Sequence, residues 1–253
     1  MRVGRRMGVG VAVLGSLLLA LNGAGPALAR SGLPVGLSHV TGLRAAAGAN
    51  ATSTAFGGWV FGVKAAASVT AEFKVPALQC TTAMSGIVVS GAMLTGRSSS
   101  PRVDAGSVLL TCSGGTPLAV PAVFVNSTET DGTQAVHAGD LMKATVVTST
   151  TKTTAAIADL TAGHRFKFAK SGAGGTSFDE RVLDSAFAQG TVLPVVNFGK
   201  ITFSKCAVGG TAIGAVTPRT AVNMQTSTGV LQILTGAITG TAKNAFTTTW
   251  KHS

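Results

Sequence analysis

The sequence predicts an all-β protein, a β-sandwich made of many short strands. Segments such as Ser68-Val69-Thr70-Ala71-Glu72-Phe73-Lys74-Val75 and Gly199-Lys200-Ile201-Thr202-Phe203-Ser204-Lys205 alternate apolar and polar residues with the period of two of a half-buried strand. The joints between such segments are rich in Gly, Thr and Ser, and convincing helices are few. Neither a GxGxxG nor a GxxxxGKS/T stretch lies in a strand-to-helix context, so the phosphate-cradling α/β folds are excluded.

Met1 to Ala29 comes first, with three arginines, an apolar run from Met7 to Leu21 and the small-residue site Ala27-Leu28-Ala29. This is the pattern of a secretory signal peptide, and its apolar run is shorter than the roughly 20 residues a membrane-spanning helix needs. Cleavage after Ala29 starts the mature chain at Arg30, predicts a secreted, extracellular protein and leaves no transmembrane segment. The mature chain keeps 17 basic against nine acidic residues, a formal charge of +8. Residues 30–55 lack strict periodicity and read as a flexible lead-in, so the folded domain is expected over 56–253.

Within it, strands are expected at Ser68–Val75, Ser85–Leu94, Arg102–Thr111, Pro121–Val125, Asp140–Thr148, Ala155–Leu160, Arg165–Phe168, Gly199–Ser204, Ala221–Met224, Gly229–Ile233 and Phe246–Trp250. The apolar stretch Val108 to Val125 is interrupted by Cys112-Ser113-Gly114-Gly115 and by two prolines, and so reads as two strands and a turn rather than a span. Asp179 to Gln189 reads as a loop with a short strand, with one or two helical turns as the alternative. It holds Asp179, Glu180 and Asp184, three of only nine acids in the chain.

Positive charge is spread through separate segments with no run of four Lys/Arg and no tyrosine, which argues against a specific nucleic-acid reader. A cationic surface of this kind serves solubility, or attracts an acidic cell-envelope polymer. Cys80, Cys112 and Cys206 form no CxxC pair, so one disulfide and one cysteine left over are expected. Three pairings are open, and loop closure favours Cys80 with Cys112 as the nearer pair. His39, His137, His164 and His252 are too dispersed for a metal motif, so no metal is expected.

Several segments in order carry a resemblance: Trp59-Val60-Phe61-Gly62, Val69 to Pro76, Val103-Asp104-Ala105-Gly106, Ala138-Gly139-Asp140, Ile157 to Gly163, Asp179-Glu180-Arg181-Val182-Leu183-Asp184, Leu193 to Phe203 and Phe246-Thr247-Thr248-Thr249-Trp250. Together they resemble the glutamic endopeptidases, or eqolisins. The resemblance implies a concanavalin-A-like sandwich of two curved antiparallel sheets with a substrate cleft. It also implies acid cleavage of peptides by a Gln/Glu pair, and no cofactor.

Asp104, in Asp104-Ala105-Gly106, stands where that family has its glutamine. Asp184, closing Glu180-Arg181-Val182-Leu183-Asp184, stands where the glutamate is expected, and Arg181 replaces a tryptophan. The aromatic cleft-lining element survives as Val123-Phe124-Val125-Asn126. Asp104 and Asp184 are thus the candidate catalytic pair, and Trp59, Phe124, Asn126, Glu180 and Arg181 the candidate substrate-binding residues. Two neighbouring carboxyls can divide the work of general acid and general base, because like charge raises the pKa of one of them. The expected function is that of a monomeric acid endopeptidase working through this Asp/Asp pair on a peptide or protein. The alternatives are a non-catalytic relative that binds peptide or glycan in the cleft and a structural, cell-surface-associated protein.

Overall fold

A computed structural model describes residues 50–62, 68–82, 86–96, 102–161, 166–175, 178–185 and 194–252; for 178–180 and 183–185 it describes the backbone alone. The chain divides into units 1–30 and 31–253, and every described residue belongs to the second. The proposed signal peptide and its cleavage site lie outside the described residues. Among these, no helix is long and apolar enough to cross a membrane.

The described residues form sixteen strands in chain order: β1 Ala51–Ser53, β2 Phe56–Phe61, β3 Ser68–Lys74, β4 Ile87–Gly96, β5 Val103–Ser113, β6 Thr116–Val125, β7 Thr128–Asp131, β8 Leu141–Thr148, β9 Lys152–Asp159, β10 Lys167–Ala173, β11 Phe178–Ser185, β12 Lys200–Val208, β13 Thr211–Ala212, β14 Arg219–Gln225, β15 Leu231–Thr235 and β16 Phe246–Trp250. They join side by side in the order β10-β9-β8-β3-β12-β16-β15-β14-β2-β11-β4-β5-β6-β7, with β1 beside β14 and β13 beside β12. All pairings are antiparallel except that of β1 with β14. The sheet folds over on itself, so that β5 packs across β8 and β9, β6 across β9 and β10, and β4 across β3 and β8. This is the expected all-β sandwich of antiparallel strands.

The main core fills the space between the layers. Phe73, Ala71 and Val69 of β3, Met142, Ala144 and Val146 of β8, Phe203 and Ile201 of β12 and Phe246 of β16 face Val88, Ala92 and Leu94 of β4, Val108 and Leu110 of β5, and Val182 of β11. Phe203 stacks on Phe246 at 5.0 Å between ring centroids and tilts against Phe73 at 5.4 Å. Such ring pairs are worth about 0.5–1.5 kcal/mol beyond the area they bury. A second buried cluster lies on the other face of the β2-β4-β5-β6 layer, with Phe56, Val60, Val89, Met93, Val103, Ala105, Leu109, Ala122 and Phe124.

The structure differs from the sequence-based reading in two places. Residues 178–185 form β11, paired with β4 along its length and with β2 from Glu180 to Ser185, and not a loop with a short strand. Long-range pairing on both sides outweighs the low strand preference of Asp and Glu. Within the stretch expected as lead-in, residues 51–53 form β1, which joins the sheet, and Ala51 is buried in the second cluster; residues 30–49 lie outside the described residues. The Val108 to Val125 stretch does form two strands and a turn, with Gly114 at φ 57° and Gly115 at φ 85° supplying the left-handed backbone of the β5–β6 hairpin. Cys80 and Cys112 are bridged, and Cys206 is free and buried.

Candidate functional site

Register fixes which acidic positions stand level. On β5, Asp104 is opposite Leu94 of β4, and Leu94 is in turn opposite Glu180 of β11. Directly paired residues share a face of the sheet, so positions 104 and 180 lie in one row, two strand spacings or about 10 Å apart. Asp184 pairs with Ser90, four residues further along. Position 184 shares that face, but its Cα lies on the order of 16 Å from that of Asp104. The register therefore brings Glu180, and not Asp184, level with Asp104. The side chains of Glu180 and Asp184 are outside the described residues.

The face in question is the one between the layers, for the neighbours of Asp104 along and across the sheet are Leu94, Val108 and Leu110 of the main core. Asp104 has no exposure to solvent, and both carboxylate oxygens are engaged. Oδ2 accepts from Arg102 Nε at 2.8 Å, and Oδ1 accepts from the backbone N–H of Asn126 at 2.7 Å. Arg102 spends its remaining donors on the other layer. Its guanidinium donates to the Gly174 carbonyl at 2.7 Å, to Thr153 Oγ1 at 2.9 Å and to the Ala173 carbonyl. Thr153 Oγ1 and Thr148 Oγ1 are also in hydrogen-bond contact, at 2.6 Å. The cluster is a polar clamp that ties the start of β5 to the end of β10 and to the β6–β7 turn. That fixed guanidinium fork is a role to which arginine is suited and lysine is not.

Gly106, the third residue of the Asp-Ala-Gly element, has a packing reason to be glycine. A Cβ there would meet the carbonyl oxygen of Ala156 on β9. Any larger residue would push the two layers apart.

The other expected site residues are dispersed. Phe124 is buried in the second cluster, on the opposite face from Asp104. Asn126 is exposed in the β6–β7 turn at φ 52° and meets Asp104 through its backbone. Trp59 is half-buried against the main core, with its indole N–H donating to the Gly236 carbonyl at 3.2 Å. Arg181 neither turns to the row of Asp104 nor reaches solvent: it is 1% exposed, with its guanidinium 4.8 Å from the centre of the Phe56 ring. A cation over a ring face is attracted by the quadrupole of the ring, which is a reason for an arginine to be kept inside. Among the described residues, no group of three or more His, Cys, Asp or Glu could hold a metal.

Sequence reasoning missed Arg102, although it stands two residues before Asp104 and so on the same face of a strand, the parity at which such a pair can close. It also ranked Asp184 above Glu180 within one element. Both have the same parity on β11, and only the register of β11 on β4 separates them.

A family model described as the peptidase A4 family matches residues 53–249. Among solved structures, scytalido-glutamic peptidase with a transition-state analogue inhibitor is similar at TM-score 0.61 and 16% identity, over 78% of this chain and 98% of that one. The same peptidase with a peptide-based transition-state analogue gives TM-score 0.61 at 15% identity over 78% and 98%. Aspergilloglutamic peptidase from Aspergillus niger gives TM-score 0.53 at 16% identity, over 66% of this chain and 99% of that one. At these identities the likeness is one of fold. No curated protein matches the chain.

Proposed function

The chain belongs to the peptidase A4 family, the glutamic peptidases, and on that premise we propose that it is an exported member that binds polypeptide without hydrolysing it through the row of Asp104. The observation that carries this is the state of the Asp104 carboxylate: fully buried, with one oxygen on Arg102 and the other on the Asn126 N–H. A general base or acid has to come within hydrogen-bond reach of a reacting water or leaving group. A carboxylate with both oxygens occupied and no solvent exposure is a strut. Polypeptide is the ligand class because a similar fold was solved with a peptide-based transition-state analogue. Export rests on the Met1 to Ala29 pattern.

The test uses protein collected from the medium, whose first residue should be Arg30. Carboxymethylated casein is incubated with it across pH 2 to 7, and binding to the same casein is titrated in parallel. Saturable binding without new amino termini is the expected result. Acid-dependent cleavage that Glu180→Gln abolishes would overturn the proposal and assign Glu180 to an acid endopeptidase.

A further inference from the structure

The outward face of the β10-β9-β8-β3-β12 layer has a charge pattern that the peptide-binding reading does not use. Consecutive pairings run Lys167 to Ala158, Ala158 to Lys143, Lys143 to Glu72 and Glu72 to Ser204, so these five residues form one row across five strands. At about 4.8 Å per strand the row is roughly 19 Å long. Lys205, at φ 47° in the bulge of β12, leans on this row with Nζ 3.0 Å from Glu72 Oε2. Lys74 is two residues along β3 from Glu72 and therefore on the same face, and Lys200 has the outward parity of Thr202 on β12. All five lysines are exposed.

Glu72 is the one acid on this face among the described residues, and it is buried and already held by Lys205. Lys74, Lys143, Lys167 and Lys200 are left as a surplus of positive charge. The exposed acid Asp131 lies on β7, at the far edge of the other layer. The two rows beyond are low and flat: Ala169, Ala156, Thr145, Thr70 and Ala207 in one, and Ser171, Thr154, Val147 and Ser68 in the other. Successive outward rows stand about 7 Å apart, and side chains this short leave room for a chain to lie along the sheet.

We propose that this face is a docking surface for a linear acidic polysaccharide, held at its acid groups by Lys74, Lys143 and Lys167. The charge complementarity selects a polyanion. The composition of the face selects among polyanions: the three rows contain no aromatic ring on which a base could stack, as single-stranded nucleic acids require, and their hydroxyl-bearing Ser and Thr suit a sugar chain. Attachment is electrostatic and releases counterions, so it weakens with added salt.

The probe is fluorescein-labelled sodium polygalacturonate, a linear carboxylated glycan, titrated by anisotropy with the Arg30–Ser253 protein at about 0.15 M salt, where the Debye length is about 8 Å. Neutral dextran and a single-stranded oligonucleotide run beside it. The Lys143→Glu/Lys167→Glu protein is expected to bind polygalacturonate at least tenfold more weakly than the parent. Lys143→Gln/Lys167→Gln should fall between the two, which separates lost attraction from misfolding. Lys170→Glu/Lys243→Asp carries the same change of net charge at two lysines outside these rows, Lys170 having the opposite parity on β10, and should stay within twofold of the parent. The proposal is overturned if both charge-reversed doubles weaken binding equally. It is overturned as well if the parent prefers polygalacturonate no more than dextran, or if the oligonucleotide binds more tightly through the same lysines.

Discussion

Strands β8 and β5 lie in opposite layers and are buried in different ways. On β8, Met142, Ala144, Val146 and Thr148 are buried while the residues between them are exposed or half-buried. On β5, every residue from Val103 to Leu110 is buried. β8 thus presents a single face to the core, and β5 is covered on both. In a layer with one wet face, charge can sit outside at little cost, as Lys143 does. In a layer covered on both faces, every polar group needs a partner inside. Asp104 and Glu72 put that contrast into two residues. Both are buried carboxylates beside a base, but Glu72 is held by the exposed Lys205, and Asp104 by an arginine whose other donors are committed to the opposite layer.

The largest effect should therefore come from Asp104→Ala. It leaves the half-buried Arg102 guanidinium and the Asn126 N–H without their acceptor, and a donor left unsatisfied at such a site costs about 1–3 kcal/mol for each of the two. Glu72→Ala releases a lysine that is already in water, a change of about 1 kcal/mol or less for the ion pair. Urea denaturation of the two variants measures the difference. Equal losses would mean that the Arg102 clamp is no stronger than a surface ion pair, and the structural account of Asp104 would fall.

The same contrast decides what could be read in the sequence. The β3, β8 and β12 strands were legible because one wet face imposes alternation, and the β5–β6 hairpin because Gly114-Gly115 marks its turn. β11 was not, since Asp179, Glu180, Arg181 and Asp184 read as solvent-seeking residues. The strand exists because β2 and β4 claim its backbone from either side. The candidate site was half legible for the same reason. The Asp104 element could be located by its residues, but which acid of Glu180 and Asp184 stands level with it is a property of register, to which spacing along the chain is blind.

A smaller effect probes how closely the two layers approach. Gly106→Ala would place a methyl group against the Ala156 carbonyl oxygen of β9, backbone against backbone, with no flexible side chain to give way. Overpacking of this kind costs about 1–3 kcal/mol. The expected result is a lower urea midpoint with an unchanged slope, because the fold is retained while its layers are forced apart. A neutral substitution would show that the layers can slide here, and the glycine of the Asp-Ala-Gly element would then need another explanation.

The smallest effect belongs to the bulge of β12, where the register of the alternating layer slips. Between Ser204 and Ala207 the register slips, Lys205 turns outward to Glu72, and Cys206 is fully buried in the main core. Burial, and after it the charge of Glu72, push the Cys206 thiol up from its ordinary 9.0 to about 12. The sign follows from linkage. A folded-state pKa above the unfolded one gives stability that is complete below about pH 9 and is lost progressively as pH rises toward 12. At neutral pH the thiol is therefore silent and behaves as a small apolar side chain. Iodoacetamide at pH 8 should leave the native protein unlabelled and modify one cysteine after denaturation without reductant, since Cys80 and Cys112 are bridged. In alkaline titrations, Cys206→Ala should flatten the fall in stability between pH 9 and 12. Native labelling at the rate of an ordinary exposed thiol would mean that the bulge opens readily, and that the layer most legible in the sequence is the looser of the two.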